Sequence, residues 1–184
     1  MNRSTIDKLV STTGLLIALV LFAASGGLFY AHSFVHNQVR RQLAGEKITF
    51  PAAGSSAITS LPAADQAKVS QYAGQELLTG AQAEVFADHY IAVHLKEIGG
   101  GQTYAQLSAA SMAQPTDTAL AGKVQTVFRG DTLRGLLLNA YAFDTMATVA
   151  NFAAIGALIG GILLVVLSAL GFTHSERVAG KKRR

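Results

Sequence analysis

The chain has 184 residues, half of them hydrophobic and only 14% charged, with a mean hydropathy of +0.33. That is too apolar for an ordinary soluble domain of this size, so a membrane class is the first expectation. There is no cysteine, which excludes a disulfide scaffold, a thiolate metal site and a cysteine nucleophile. The net charge of +4 misleads if it is spread over the whole chain. Residues 32–145 hold eight Lys or Arg against nine Asp or Glu, so the positive excess sits at the two ends and a nucleic-acid partner loses its main support.

Ser4-Thr5-Ile6-Asp7 has the form of a capping box that would open a first helix. Residues 9–31 then run for 23 positions without a charge, enough to cross the hydrocarbon core. A cleaved secretory signal is the rival reading, because Ala23-Ala24-Ser25 offers small residues where a signal peptidase cuts. The apolar character, however, continues through Tyr30. Residues 146–172 form a second uncharged run. Arg3 and Lys8 flank the first run, and Arg177 with Lys181, Lys182, Arg183 and Arg184 follows the second, which predicts both termini in the cytoplasm and residues 32–145 outside it. Read in a eukaryote, the terminal Lys181-Lys182 pair would instead resemble a dilysine retrieval signal.

Beyond Tyr30, the spacing of Phe34, Val35, Val39 and Leu43 carries the first helix to about Ala44, with Gly45 as its stop. Lys47 to Phe50 has β character, and residues 51–60 read as loop. A helix follows from Pro62 to about Ala73. Thr79-Gly80-Ala81-Gln82 is a second capping box, opening a helix that stops at Gly99-Gly100-Gly101, and Thr103-Tyr104-Ala105-Gln106 is a third, opening a helix to about Met112. Pro115-Thr116-Asp117 starts the last helix, which feeds into the second apolar run. Gly99-Gly100-Gly101 is not a phosphate loop, since no Lys-Ser/Thr follows and no strand precedes it. Within the runs, Gly14-x-x-x-Ala18, Ala23-x-x-x-Gly27 and Gly156-x-x-x-Gly160 place small residues four apart, which lets helix backbones approach closely. They serve either an antiparallel pairing of the two spans or association with a second copy.

The stretch from Leu77 to Leu107, the "QLAGEKITF" of residues 42–50 and the "LRGLLLNAYAF" of residues 133–143 resemble, in their order along nearly the whole chain, a group of small actinobacterial two-pass membrane proteins of unknown function. Some members of that group carry the description "aromatic ring-opening dioxygenase". Such an activity implies an iron held by two histidines and a carboxylate with open coordination positions.

His32 and His36 stand four apart, on one face of a helix, and with Glu84, Asp88 or His89 could complete a metal shell. The plainer reading is a pair of imidazoles at the wet end of a membrane helix. His89 and His94, five apart, diverge by about 140° on an α-helix and make poor joint ligands. Arg40, Arg41, Arg129 and Arg134 suggest an anion pocket, with Glu46 and Asp131 available to neutralise them, although exposed ion pairs signify little. The spans hold no ionisable residue, which argues against an ion path through them.

The expected architecture is an all-α membrane protein in five parts: a cytoplasmic N-terminus (1–8), a span (9–31), an extracytoplasmic helical domain (32–145), a second span (146–172) and a basic tail (173–184). The two spanning helices extend beyond the bilayer with a small helical cap between them. The expected activity is non-enzymatic: an accessory, scaffold or sensor in the plasma membrane that binds an envelope protein or a second copy, with no cofactor. A metal- or haem-binding redox accessory using His32 and His36 is the alternative, and a dioxygenase-type enzyme the third reading.

Overall fold

A computed structural model describes the backbone of residues 3–181 and the side chains of residues 3–177. It is helical throughout these residues, apart from one isolated antiparallel bridge between Thr49 and Glu76. Two helices are long and apolar enough to cross a membrane: α1 (Arg3–Glu46) and α7 (Thr118–Lys181). In their most apolar stretches only 11% and 17% of residues are buried, where the core helix of a soluble protein would be mostly covered. Between them lie α2 (Ser56–Thr59), α3 (Ala63–Ser70), α4 (Gly80–Val85), a π-helical turn (Phe86–Ile91), α5 (Ala92–Ile98) and α6 (Tyr104–Ala113). The chain divides into two compact units. One takes in residues up to Phe34 and from Met146 onward; the other is Val35–Thr145.

In the first unit the two helical segments run antiparallel and touch through their smallest side chains. Ser11, Ala18 and Ser25 are buried on α1, and Ala147, Ala154, Gly161, Ser168 and Ser175 on α7, every one seven residues from the next. A strict seven-residue repeat is the signature of helices that supercoil left-handedly with a fixed seam. The register follows the contacts in order. Ser4 Oγ lies 3.1 Å from Ser175 Oγ, and Ser25 Oγ donates to the Ala154 carbonyl at 2.9 Å. Between them, Ser11 faces Gly171, Ser168 faces Gly14, and Phe22 lies over Gly161, so that a methyl group on any of these three glycines would collide.

Gly14 and Ala18 thus lie in the seam, and Gly160 meets the end of Leu21 at 3.5 Å. Gly156 meets nothing within 4 Å, and neither does Gly27. Ser4 sits inside α1 rather than capping it, which corrects the first of the three expected capping boxes. Lys182, Arg183 and Arg184 of the basic tail lie outside the described residues.

The second unit has a conventional hydrophobic core. Phe50, Ile58, Val69, Leu77, Ala83, Phe86 and Ile91 are buried together with Val39 and Leu43 of α1 and Leu137 of α7. Rings form a chain through it: Phe50 meets Phe86 edge-on at 5.1 Å and Tyr72 at 5.4 Å, Phe86 meets Tyr90 at 4.9 Å, and Tyr90 meets His94 at 4.5 Å. The capping boxes at Thr79 and Thr103 are both formed, each hydroxyl accepting from the Gln backbone three residues on. Asp117 caps α7 in the same way, accepting from Leu120 N at 2.9 Å.

Three local expectations are corrected. Helix α1 passes through Gly45 and ends at Glu46, and Lys47 takes the left-handed turn with φ 51°. The pairings Leu77 N to Ile48 O and Phe50 N to Gln75 O fix the chain just beyond, offsetting about 1–2 kcal/mol of backbone strain. The β character of residues 47–50 amounts to that short pairing. Residues 51–60 contain a helical turn, α2, because buried Ile58 draws the segment onto the core.

The seam is testable because the natural chain has no cysteine. A Ser4→Cys/Ser175→Cys variant should form an intrachain disulfide on mild oxidation of membranes, seen as a mobility shift on a non-reducing gel. Adding Gly171→Leu should slow that reaction by about tenfold, the equivalent of a wedge costing roughly 1.4 kcal/mol. Equal rates in the two proteins would show that the helices do not meet there.

Candidate functional site

Four of the five histidines form hydrogen bonds through Nδ1. His32 Nδ1 donates to the Ala147 carbonyl at 2.8 Å within the first unit. In the second unit His36 Nδ1 lies 2.8 Å from Asp144 Oδ1, His89 Nδ1 lies 2.7 Å from Asp65 Oδ1, and His94 Nδ1 donates to the Tyr90 carbonyl one turn back at 2.8 Å. A carbonyl can only accept, so His32 and His94 carry their proton on Nδ1 in these bonds.

Asp144 binds on two sides. While Oδ1 meets His36 on α1, Oδ2 accepts from Gly80 N at 3.1 Å, at the first residue of α4. A carboxylate there satisfies one of the unpaired donors of a helix start and suits the positive end of the helix dipole. Its side chain is only 15% exposed. Gly80 is required by this approach: a Cβ at that position would lie 2.5 Å from Asp144 Cβ.

The π-helical turn follows on the same helical run. One additional residue in a turn rotates what comes after it by about 100° relative to a continuous α-helix. The turn keeps Phe86, Ala87 and Ile91 in the core while His89 reaches Asp65 on α3 and Asp88 reaches Arg134 on α7. Arg134 donates to Asp88 Oδ1 through Nε at 3.1 Å and Nη2 at 2.6 Å. The run ends at Gly99, with Gly100 and Gly101 at φ 61° and 79°, a left-handed stop that only glycine adopts without strain.

Beside these ties the α1 and α7 segments of the second unit leave an apolar groove of about 270 Å³. Its walls are Val39 and Leu43 from α1 and Leu133, Leu136, Leu137 and Phe143 from α7, with Gln42, Glu46 and Asn139 at its polar margin. Leu136 is 61% exposed and Phe143 55% exposed.

The sequence-derived residues are therefore distributed as follows. His36 is joined to Asp144, 108 residues away in sequence, and His32 to a backbone carbonyl. Arg134 pairs with Asp88, whereas Arg129 and Asp131 are exposed. Among the described residues no group of three or more His, Asp or Glu side chains gathers as a metal site would require. Compared with family models, curated proteins and solved structures, the chain matches none.

The Asp144 tie predicts a local effect. Asp144→Ala removes the acceptor from Gly80 N and His36 together, and should lower the opening free energy of α4 by about 2–3 kcal/mol. Hydrogen exchange followed by mass spectrometry across residues 79–85 reads this directly. Unchanged exchange would show that Asp144 holds nothing in place.

Proposed function

We propose that this chain is a non-enzymatic integral membrane protein of the cell envelope whose Val35–Thr145 unit docks a protein partner. In this reading both termini lie in the cytoplasm, residues 32–145 lie outside it, and the chain is an actinobacterial two-pass protein of the group its sequence resembles. The observation that carries the proposal is the open groove between α1 and α7. The unit buries Phe50, Ile58, Val69 and Leu77 almost completely, yet leaves Leu136 and Phe143 in the open along one groove. Contiguous exposed apolar surface of this kind marks interaction sites.

An amphipathic helix suits such a groove, laying apolar side chains at helical spacing between Val39 and Leu43 on one wall and Leu133 and Leu136 on the other. Glu46 and Asn139 at the margin then set its direction through polar contacts. The ties described above keep His36, His89, Asp65, Asp88 and Asp144 engaged in joining helices, a positioning role that serves a binding unit.

Photocrosslinking in living cells tests this. A photoreactive amino acid in place of Leu136 or Phe143 should give discrete protein adducts, of heterologous or dimer size, while the same group at exposed Gln125 should not. Leu136→Asp should reduce adducts formed from position 143 about tenfold, the range of a buried interface residue. Adducts to lipid only, or equal labelling from all three positions, would rule the docking face out. Topology is checked separately: Met112→Cys, 75% exposed, should react with a membrane-impermeant maleimide on intact cells.

A further inference from the structure

The first unit contains a cleft that its seam does not fill. It has a volume of about 370 Å³ and lies between the start of α1 and the last turns of α7. Its apolar walls include Val10 and Leu167, which are 64% and 62% exposed, so the cleft is open on the side that faces lipid in a membrane-spanning pair. Its polar groups are Asp7, Ser11, Ser168 and His174.

Asp7 has one carboxylate oxygen, Oδ2, that is buried and has no hydrogen-bond partner among the described residues. A buried carboxylate oxygen without a donor is costly, and such an atom beside an open cleft marks the place of a missing donor. Basic residues follow its lining in sequence on both helices: Lys8 is the next residue after Asp7, and Arg177, beside Glu176, follows His174 by three. One buried acceptor, with Lys8 and Arg177 close by in sequence and apolar walls below, matches a molecule that carries an ammonium group, an adjacent phosphate and hydrocarbon chains.

We propose that this cleft binds one aminophospholipid, a lipid whose headgroup bears a primary ammonium next to its phosphate. The ammonium donates to Asp7 Oδ2, the phosphate lies against Lys8 and Arg177, and an acyl chain follows Val10 and Leu167. A primary ammonium has three N–H donors, while a trimethylated headgroup has none and cannot satisfy the carboxylate. An anionic lipid without an amine brings its charge to Lys8 and Arg177 but leaves Asp7 unpaired. The inference rests on reading α1 and α7 as membrane spans and is independent of the docking groove.

Native mass spectrometry of the detergent-purified full chain with equal amounts of phosphatidylethanolamine, phosphatidylcholine and phosphatidylglycerol tests it. One phosphatidylethanolamine should be retained per chain in preference to the other two, and Asp7→Asn should weaken its retention about tenfold, the loss of one charge-assisted hydrogen bond. Leu167→Trp, which fills the cleft from its exposed wall and leaves the seam intact, should displace the lipid as well. The Ser4→Cys/Ser175→Cys disulfide in each variant shows that the hairpin is formed. Equal retention of the three lipids, a preference for phosphatidylglycerol, or an Asp7→Asn protein that keeps its phosphatidylethanolamine would overturn the proposal. Release of the chain from membranes by carbonate would overturn the span reading itself, whereas an embedded chain without lipid preference overturns the cleft alone.

Discussion

Close approach of two helix backbones is the constraint on which the first unit depends. In hydrocarbon, burying a leucine against another helix gains little over leaving it in lipid, so association relies on packing contact and on hydrogen bonds across the seam. Ser11, Ala18 and Ser25 on one helix, and Ala147, Ala154, Gly161, Ser168 and Ser175 on the other, make that contact possible over the length of the pair. Large residues such as Leu9, Leu16, Leu19, Leu163 and Leu170 are left facing outward, the arrangement expected of helices that a bilayer solvates. The serines serve twice, being small enough for the seam and able to tie it, as Ser25 does to the Ala154 carbonyl.

The second unit is held by different physics. It is built on a core of Phe50, Ile58, Leu77 and Phe86, in which apolar burial supplies the driving force. What that force does not fix is which turn of α4 faces which turn of α1 and α7, because apolar contact is non-directional. Directional bonds settle it: Asp144 to Gly80 N and His36, Asp65 to His89, and Asp88 to Arg134. Each pair joins residues from different helices, so together they set the register that the core leaves free. The π-helical turn belongs to the same solution, since it allows core residues and the paired Asp88 and His89 to share one short segment.

How much of this could be read from the sequence depends on how local the governing rule is. The two apolar runs, the capping boxes at Thr79 and Thr103 and the glycine stop after Ile98 follow from neighbours within a few residues, and the structure contains them. Helix α2 was hidden in a Gly/Ser/Ala-rich stretch because its cause is one buried contact of Ile58. The π-helical turn leaves no mark in composition at all. The role of Asp144 leaves no sequence signal, because its partners are 64 and 108 residues away and no periodicity connects them. The seam leaves a signal in the sequence that small residues four apart capture only in part. The seven-residue spacing of Ser11, Ala18 and Ser25 becomes visible when the period is sought among small residues instead of large apolar ones.

The absence of ionisable groups from the middle of both spans gives the seam and the cleft different roles. The seam between them is built from small residues, with Ser11, Ser25, Ser168 and Ser175 as its polar members and no charged side chain. Acidic and imidazole side chains lie where the apolar runs end, with Asp7 and His174 at one end and His32 at the other. A helix pair built this way is a fixed element, and the directional ties of Asp144, Asp65 and Asp88 make the second unit equally specific in its helix register. The surfaces that remain for recognition are those neither device covers: the apolar groove beside Leu136 and Phe143, and the cleft beside Asp7.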